Sequence, residues 1–219
     1  VAHGELDIYG ILGMSCNGAF DTIAQTLNST KWQKLAEDFG YNQSDRSQVD
    51  FPYKKSHFDI ASDDSVWSRM QLAIGQGTTT VTPLLNLMIY AAIANDGVMM
   101  TPYLVDHYLD ADGNVVEQTK PKALRSVCTK AEAELMDEFL TYVITNGTAA
   151  AGGSQYARVS GKTGSAQYDS TKNYHAWFCG YGTNDVSEIA VCVMIEKGGA
   201  GGIVAAPVAG QIFDYYFSR

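Results

Sequence analysis

A lysine followed by threonine and glycine, Lys162-Thr163-Gly164, is the sharpest chemical motif in the sequence. Glycines at positions 161 and 164 would allow a ligand or another backbone to approach closely, because glycine has no side chain to block the approach. The lysine would then present a positive charge at that point. The alternative interpretation is a strand lysine that points to solvent, beside a glycine that forms a bulge.

A second candidate is Ser15, which stands two positions before Asn17. Alone, either residue predicts a helix N-cap. With Lys162 they suggest a proton-relay and amide-binding cluster, because a nearby cation helps a serine hydroxyl to donate or accept a proton, and an asparagine amide can bind a peptide. Backbone N–H groups beside Gly164 could face a developing oxyanion. We therefore predict that Ser15, Asn17 and Lys162 converge on one groove.

The elements that must position these residues begin with helices. Residues 12–40 have an apolar stripe at helical spacing, which predicts helical structure. Residues 41–65 are polar and predict a long surface loop. A short helix over 66–74 ends at the glycine-rich turn 75–77. Proline and glycine frame a strongly apolar helix over 84–94, which we expect to be central and buried.

The second half of the chain changes from helices to strands. Residues 103–118 predict a hairpin that turns at 112–114. Residues 129–145 predict an amphipathic helix with a capping box formed by Thr129 and Glu132. Three strands and a final helix follow, over residues 158–168, 175–182, 188–196 and 207–217. Helices followed by an antiparallel sheet indicate the α+β class, and without repeats or linkers we predict a single domain over residues 1–219.

Composition narrows the classes of partner. A chain of 219 residues with 46% hydrophobic residues can bury one sizeable core. Its formal net charge of −9 argues against a nucleic-acid partner and against anionic lipid head groups. The four histidines and four cysteines lack metal-ligand spacing, so we predict no metal and no cofactor. Cys179 and Cys192 could be neighbours across a hairpin, and we interpret them as small buried apolar side chains.

The two motifs together resemble a known family. A Ser-x-Asn sequence followed by Lys-Thr-Gly on a late strand resembles the second and third motifs of penicillin-binding proteins and serine β-lactamases. Other stretches resemble the high-molecular-weight transpeptidases, from about His3 to the end: residues 74–77, 81–84, 90–97, 175–178 and 205–207. The resemblance implies an α+β fold, with an antiparallel sheet packed with helices beside an all-helical subregion, truncated at the N-terminus.

The resemblance also implies an activity. It is that of a serine-type D-Ala-D-Ala transpeptidase or carboxypeptidase, which cross-links peptidoglycan stem peptides by acyl transfer and is trapped by β-lactams. The implied catalytic roles are a proton relay for Ser15, binding of the substrate amide for Asn17, and control of the relay's electrostatics for Lys162. The implied substrate-binding residues are Thr163, Gly164 and Ser165. The hydroxyls of Thr163 and Ser165 would hold the substrate carboxylate, and the backbone N–H of Ser165 would bind the oxyanion.

One motif of the family is not found. No serine in the sequence is followed by lysine three positions later, so the S-x-x-K motif, which supplies the nucleophile and its base, is expected upstream of Val1. The family's first two strands would lie there too, which would leave the strand over 188–196 with an unpaired edge. We expect the physiological protein to be longer and the chain as given to be chemically inactive.

The implied partners are therefore the N-terminal part of the same protein, stem peptides, β-lactams and the cell-wall synthesis machinery. The implied location is the extracytoplasmic face of the bacterial cell membrane, with an anchor outside this chain. Two alternatives stay open: a β-lactam sensor, or a catalytically inactive scaffold of the same fold. A β-lactamase is less favoured, because no E-x-x-L-N-like segment is present and Ser15-Cys16-Asn17 differs from the usual S-D-N.

Overall fold

Helices dominate the first 94 residues in this computed structural model, which describes residues 3–43, 49–171 and 173–219. They are α1 (Ile8–Gly13), α2 (Asn17–Thr26), α3 (Ser29–Asp38), α4 (Val66–Ala73) and α5 (Pro83–Ala94). The predicted helical structure over 12–40 is present, and it consists of the end of α1 together with α2 and α3. The helical backbone is interrupted at Ser15, which has a φ of 51°, and again at Leu27, which is extended.

Helices α2, α3 and α4 form the predicted all-helical subregion. Its small core contains Phe58, Ile60 and Leu72, with Trp32 packed against them. The predicted loop over 41–65 has no helix in its described part, and residues 44–48 lie outside the described residues. The segment is more than a surface loop, however, because Phe58 and Ile60 are buried.

Helix α5 begins at Pro83, as the proline predicts, and the Thr82 side chain caps it by accepting a hydrogen bond from the Leu85 N–H. Two small antiparallel sheets follow. Strand β1 (Val98–Met100) pairs with β4 (Ala123–Ser126), while β2 (His107–Leu109) pairs with β3 (Val115–Gln118). The second pair is the predicted hairpin, whereas the pairing of β1 with β4 was not predicted.

The sequence from residue 130 onward builds the main sheet and its two helices. Helix α6 (Lys130–Asn146) has the predicted capping box. It is followed by a 3₁₀ turn and three antiparallel strands in the order β5–β6–β7: β5 (Arg158–Gln167), β6 (Tyr174–Thr183) and β7 (Glu188–Ile195). Helix α7 (Gly201–Phe217) ends the chain and begins six residues before the predicted Pro207.

The main core lies between one face of this sheet and α7. Phe178 and Phe213 are completely buried there and their rings meet edge to face. Gly201 permits this close packing, because a Cβ atom at Gly201 would lie 2.3 Å from the Gly164 carbonyl oxygen. The second edge of β7 pairs with no strand of the described residues. None of the helices in the described ranges has the length and apolar character needed to cross a bilayer.

Candidate active site

Lys162 lies in the middle of β5, which is an edge strand of the main sheet. Its Nζ donates hydrogen bonds to the Ser15 Oγ and to the Thr163 carbonyl oxygen, each at 2.9 Å. Burial lowers the pKa of Lys162 to about 8, because the charged form loses hydration. An amine with that pKa can gain and lose a proton near neutral pH, as proton transfer through the Ser15 hydroxyl requires.

Ser15 is held by the C-terminus of α1. Its N–H donates to the Leu12 carbonyl at 3.1 Å, and the N–H of Cys16 donates to the Ile11 carbonyl at 3.0 Å. These two bonds form a Schellman motif, in which the residue after the cap is left-handed and usually glycine. The N-cap alternative for Ser15 is wrong, because Cys16 occupies that position at α2 and makes no side-chain cap.

Helix α1 is fixed in turn by α6. The Thr148 N–H donates to the Gly13 carbonyl at 3.0 Å. Gly147 touches the same backbone so closely that a Cβ atom there would lie 2.5 Å from the Gly13 oxygen. At the other end of α1, the Tyr9 hydroxyl donates to Glu138 at 3.0 Å. These contacts determine where Ser15 stands relative to β5.

The partly buried carboxylate of Asp137 on α6 binds the start of β5, at Arg158 and Ser160. Asp137 accepts hydrogen bonds from the Tyr181 hydroxyl at 2.6 Å, and from the Ser160 hydroxyl and the Arg158 guanidinium, both at 2.7 Å. Burial acts to raise the pKa of Asp137, but the three hydrogen bonds outweigh it and the pKa lies below its usual value. The lysine therefore sits on a firmly anchored strand.

A groove beside the edge of β5 contains the remaining predicted residues. This cavity of about 710 Å³ is lined by all six of them: Ser15, Asn17, Lys162, Thr163, Gly164 and Ser165. Asn17 begins α2 with an exposed side chain, which makes no hydrogen bond to the described residues. The Thr163 hydroxyl lies 3.3 Å from the hydroxyl of Thr148, and the Ser165 hydroxyl accepts from the Gly201 N–H at 3.0 Å.

A second cavity of about 600 Å³ adjoins the first, and both contact the same stretch of β5. Gln76 borders both cavities. Hydrogen bonding orients its amide so that it donates to the Gln167 carbonyl and accepts from the Gln167 N–H, each at 3.2 Å. Gly75 and Gly77 have φ values of 72° and 73°, so the predicted turn exists and directs Gln76 toward β5.

Sequence reasoning did not assign Thr148 or Gln76 to the groove. Thr148 follows the Asn-Gly pair that ends α6, and Gln76 stands in a glycine turn that the resemblance already included. In the described ranges, no cluster of three or more His, Cys, Asp or Glu side chains could hold a metal ion. The chemistry that the groove offers is proton transfer between an amine and a hydroxyl, next to groups that can bind an amide and a carboxylate.

Comparisons with known proteins agree with this geometry. The family profile described as the penicillin binding protein transpeptidase domain matches residues 1–214. Peptidoglycan D,D-transpeptidase PbpA of Mycolicibacterium smegmatis is 29% identical over 89% of the chain and 40% of the relative. Peptidoglycan D,D-transpeptidase MrdA of Acinetobacter baumannii is 28% identical over 98% of the chain and 35% of the relative.

Solved structures give the same result. The D,D-transpeptidase domain of a peptidoglycan glycosyltransferase from Eggerthella lenta superposes with a TM-score of 0.86 at 27% identity, over 97% of this chain and 54% of that one. Penicillin-binding protein 3 from Mycobacterium tuberculosis, complexed with ampicillin, has a TM-score of 0.81 at 25% identity, over 97% of this chain and 50% of that one. The chain spans less than half the length of the curated relatives it matches.

Proposed function

The chain belongs to the penicillin-binding protein transpeptidase family, and we propose that it forms the proton-relay and substrate-binding part of a peptidoglycan D,D-transpeptidase. One observation supports this above the others. The Nζ of Lys162 lies 2.9 Å from the Ser15 Oγ, inside a groove that Asn17 also lines. Relatives named peptidoglycan D,D-transpeptidase match over most of the chain, which supports the same substrate class.

The proposed reaction is acyl transfer. A serine nucleophile attacks the D-Ala-D-Ala peptide bond of a stem peptide, and the D-alanine amine leaves after it receives a proton. The Ser15 hydroxyl gives that proton to the amine and recovers one from Lys162. The amine of a neighbouring peptide then takes the acyl group, and the Lys162–Ser15 pair accepts the proton that it releases.

Substrate binding is assigned to the groups around this pair. Asn17 has an exposed amide at the start of α2, which can pair with a peptide group of the stem peptide. The hydroxyls of Thr163 and Ser165 bind the terminal carboxylate, and the backbone N–H of Ser165, beside Gly164, binds the oxyanion. Thr148, which follows the end of α6, supports the hydroxyl of Thr163.

The nucleophile is assigned to a segment outside these 219 residues, because none of the serines here has lysine three positions later. β-Lactams are proposed to occupy the same groove, since the related penicillin-binding protein 3 was solved with ampicillin. An extracytoplasmic location at the bacterial membrane is part of this proposal, as are the cell-wall synthesis machinery and the remainder of the protein as partners.

The test uses the protein in a form that contains this chain together with the S-x-x-K segment. We expect Lys162→Ala to slow acylation by a fluorescent penicillin and D-alanine release from a stem pentapeptide by roughly 10² to 10⁴-fold, the usual contribution of a proton-transfer group. Lys34→Ala is the matched control, because this exposed lysine pairs with Asp38 on α3 and does not line the groove. Wild-type rates in Lys162→Ala would refute the proposed relay.

A second arm tests where the nucleophile lies. The 219-residue chain is expected to remain unlabelled by the fluorescent penicillin. Covalent labelling of this chain would contradict the assignment of the nucleophile to another segment, without affecting the role proposed for Lys162.

A further inference from the structure

Two cysteines lie opposite each other on adjacent strands of the main sheet. Cys179 on β6 and Cys192 on β7 are directly opposite in the antiparallel register, and their Sγ atoms are 3.1 Å apart with both thiols free. Opposite residues of an antiparallel pair have Cα atoms about 4.5 to 5.5 Å apart. A disulfide needs Cα atoms about 4.4 to 6.8 Å apart, so the backbone already has a suitable separation.

The pair lies beside the groove. Lys162 is directly opposite Cys179 on the other side, so Lys162, Cys179 and Cys192 form one row across β5, β6 and β7. Opposite residues project from the same face of a sheet, and Cys179 borders the second cavity together with Lys162 and Tyr90. Cys179 is 4% exposed, whereas Cys192 is only partly buried.

We propose that Cys179 and Cys192 form a thiol–disulfide site that takes a small organic disulfide as its oxidant. The Cys192 thiolate attacks one sulfur of the small disulfide and displaces the first small thiolate. The Cys179 thiolate then attacks the Cys192 sulfur in this mixed disulfide and displaces the second. The protein loses two electrons and two protons, and the small disulfide becomes two thiols.

The order of attack follows from the surroundings of the two thiols. The Cys179 S–H donates a hydrogen bond to the Cys192 sulfur, which lowers the pKa of Cys192 despite its partial burial. The same hydrogen bond and burial raise the pKa of Cys179. Cys192 is therefore both the more accessible thiol and the one that more readily becomes a thiolate.

The bond would join β7 covalently to β6. Strand β7 is an edge strand, and its second edge pairs with no other described strand. Oxidation would thus tie the edge strand β7 to β6 within the row that contains Lys162. This inference concerns thiol chemistry and does not depend on the proposed transpeptidase activity.

The experiment titrates the purified, folded protein with glutathione disulfide in a glutathione buffer, followed by thiol counting, intact mass and peptide mapping. We expect the loss of two thiols and two hydrogen atoms, a cross-link between the peptides of Cys179 and Cys192, and full reversal by dithiothreitol. The Cys16→Ser/Cys128→Ser double variant is the matched control and should behave like the parent, because it retains the opposed pair.

A second variant isolates the first step. Cys179→Ala removes the resolving thiol, so Cys192 should keep one glutathione as a stable mixed disulfide and gain the corresponding mass. Two results would overturn the proposal. One is that the Cys16→Ser/Cys128→Ser variant keeps the thiols of Cys179 and Cys192 reduced under conditions that oxidise the denatured chain. The other is a parent protein whose cross-link joins a different pair of cysteines.

Discussion

The two residues that meet at the centre of the groove are held by very different structures. Lys162 lies in a ten-residue strand that is paired along its length with β6. Ser15 follows a six-residue helix and adopts a left-handed backbone, with a φ of 51°. Six residues are too few for a helix that is stable by itself, so α1 depends on its packing against α6.

The structure around Lys162 should therefore be more stable than the structure around Ser15. On the lysine side, Gly180 allows β5 and β6 to approach so closely that a Cβ atom there would lie 2.5 Å from the Ser160 oxygen. The sheet and the Asp137 hydrogen bonds hold the lysine in place. On the serine side, position depends on a backbone contact between Gly13 and Gly147 and on a strained residue. Local opening should therefore begin with α1 rather than with β5.

The largest effect is expected from Gly147→Ala. Its backbone is in the β region, which alanine adopts freely, so the effect is purely steric. The added Cβ atom would lie 2.5 Å from the Gly13 oxygen and 2.8 Å from the Val143 oxygen, and backbone cannot yield as a side chain can. We expect a loss of about 3 kcal/mol in unfolding free energy, measured by urea denaturation, with displacement of α1.

Gly18→Ala is the control for this substitution. A Cβ atom at Gly18 in α2 meets nothing within 4 Å, so alanine should stabilise the protein by up to about 1 kcal/mol through its higher helix propensity. Hydrogen exchange then tests the asymmetry. In Gly147→Ala, amides of α1 should lose protection while those of β5 keep it, and equal loss in both elements would contradict the comparison.

Because Lys162 is largely buried, the free energy of unfolding should depend on pH. The pKa of Lys162 is about 8 in the folded protein and 10.5 when unperturbed. Between these values the unfolded state binds more protons than the folded state, so stability rises with pH. The expected gain from this group is on the order of 3 kcal/mol, complete above the unfolded pKa and absent below pH 8.

Urea denaturation of the wild type and of Lys162→Met between pH 7 and pH 11 measures this gain as the difference between the two proteins. Methionine fills a similar volume without a charge, so the variant should lack the rise. Lys34→Met, at an exposed position of α3, should keep it. If the wild type and Lys162→Met have parallel pH profiles, the lysine is better hydrated than the structure indicates.

Sequence patterns predicted the lysine side of the site well. The tight connections between β5, β6 and β7 defined the strands to within a residue, because strand pairing in this sheet follows local patterns. The start of α7 was missed, because its glycines have low helix propensity. Glycine is needed at position 201 because it packs against the Gly164 carbonyl. This is a tertiary contact, which no local sequence pattern contains.

The serine side was harder to predict. The break between α1 and α2 lies at a serine in the left-handed conformation, where a glycine would have signalled the end of the helix. Ser15 and Asn17 were identified through the spacing of a motif, although their local interpretation as caps was wrong. Gln76 and Thr148 border the groove only because α4 and α6 end there, so their positions depend on the whole fold.

The smallest expected effect separates backbone strain from the hydroxyl of Ser15. Ser15→Ala and Ser15→Gly both remove the hydrogen bond from Lys162, but only glycine is comfortable at a φ of 51°. The left-handed conformation costs a residue with a Cβ atom about 1 to 2 kcal/mol, and glycine loses part of that gain through greater freedom in the unfolded chain. Ser15→Gly should therefore be more stable than Ser15→Ala by about 1 kcal/mol in urea denaturation. Because neither variant has the hydroxyl, their difference contains no contribution from the Lys162 hydrogen bond and reports the backbone strain less the entropy cost of glycine. Equal stabilities would mean that the strain at Ser15 is no larger than the entropy cost of glycine, and the proposed weakness of the serine side would then rest only on the contact between α1 and α6.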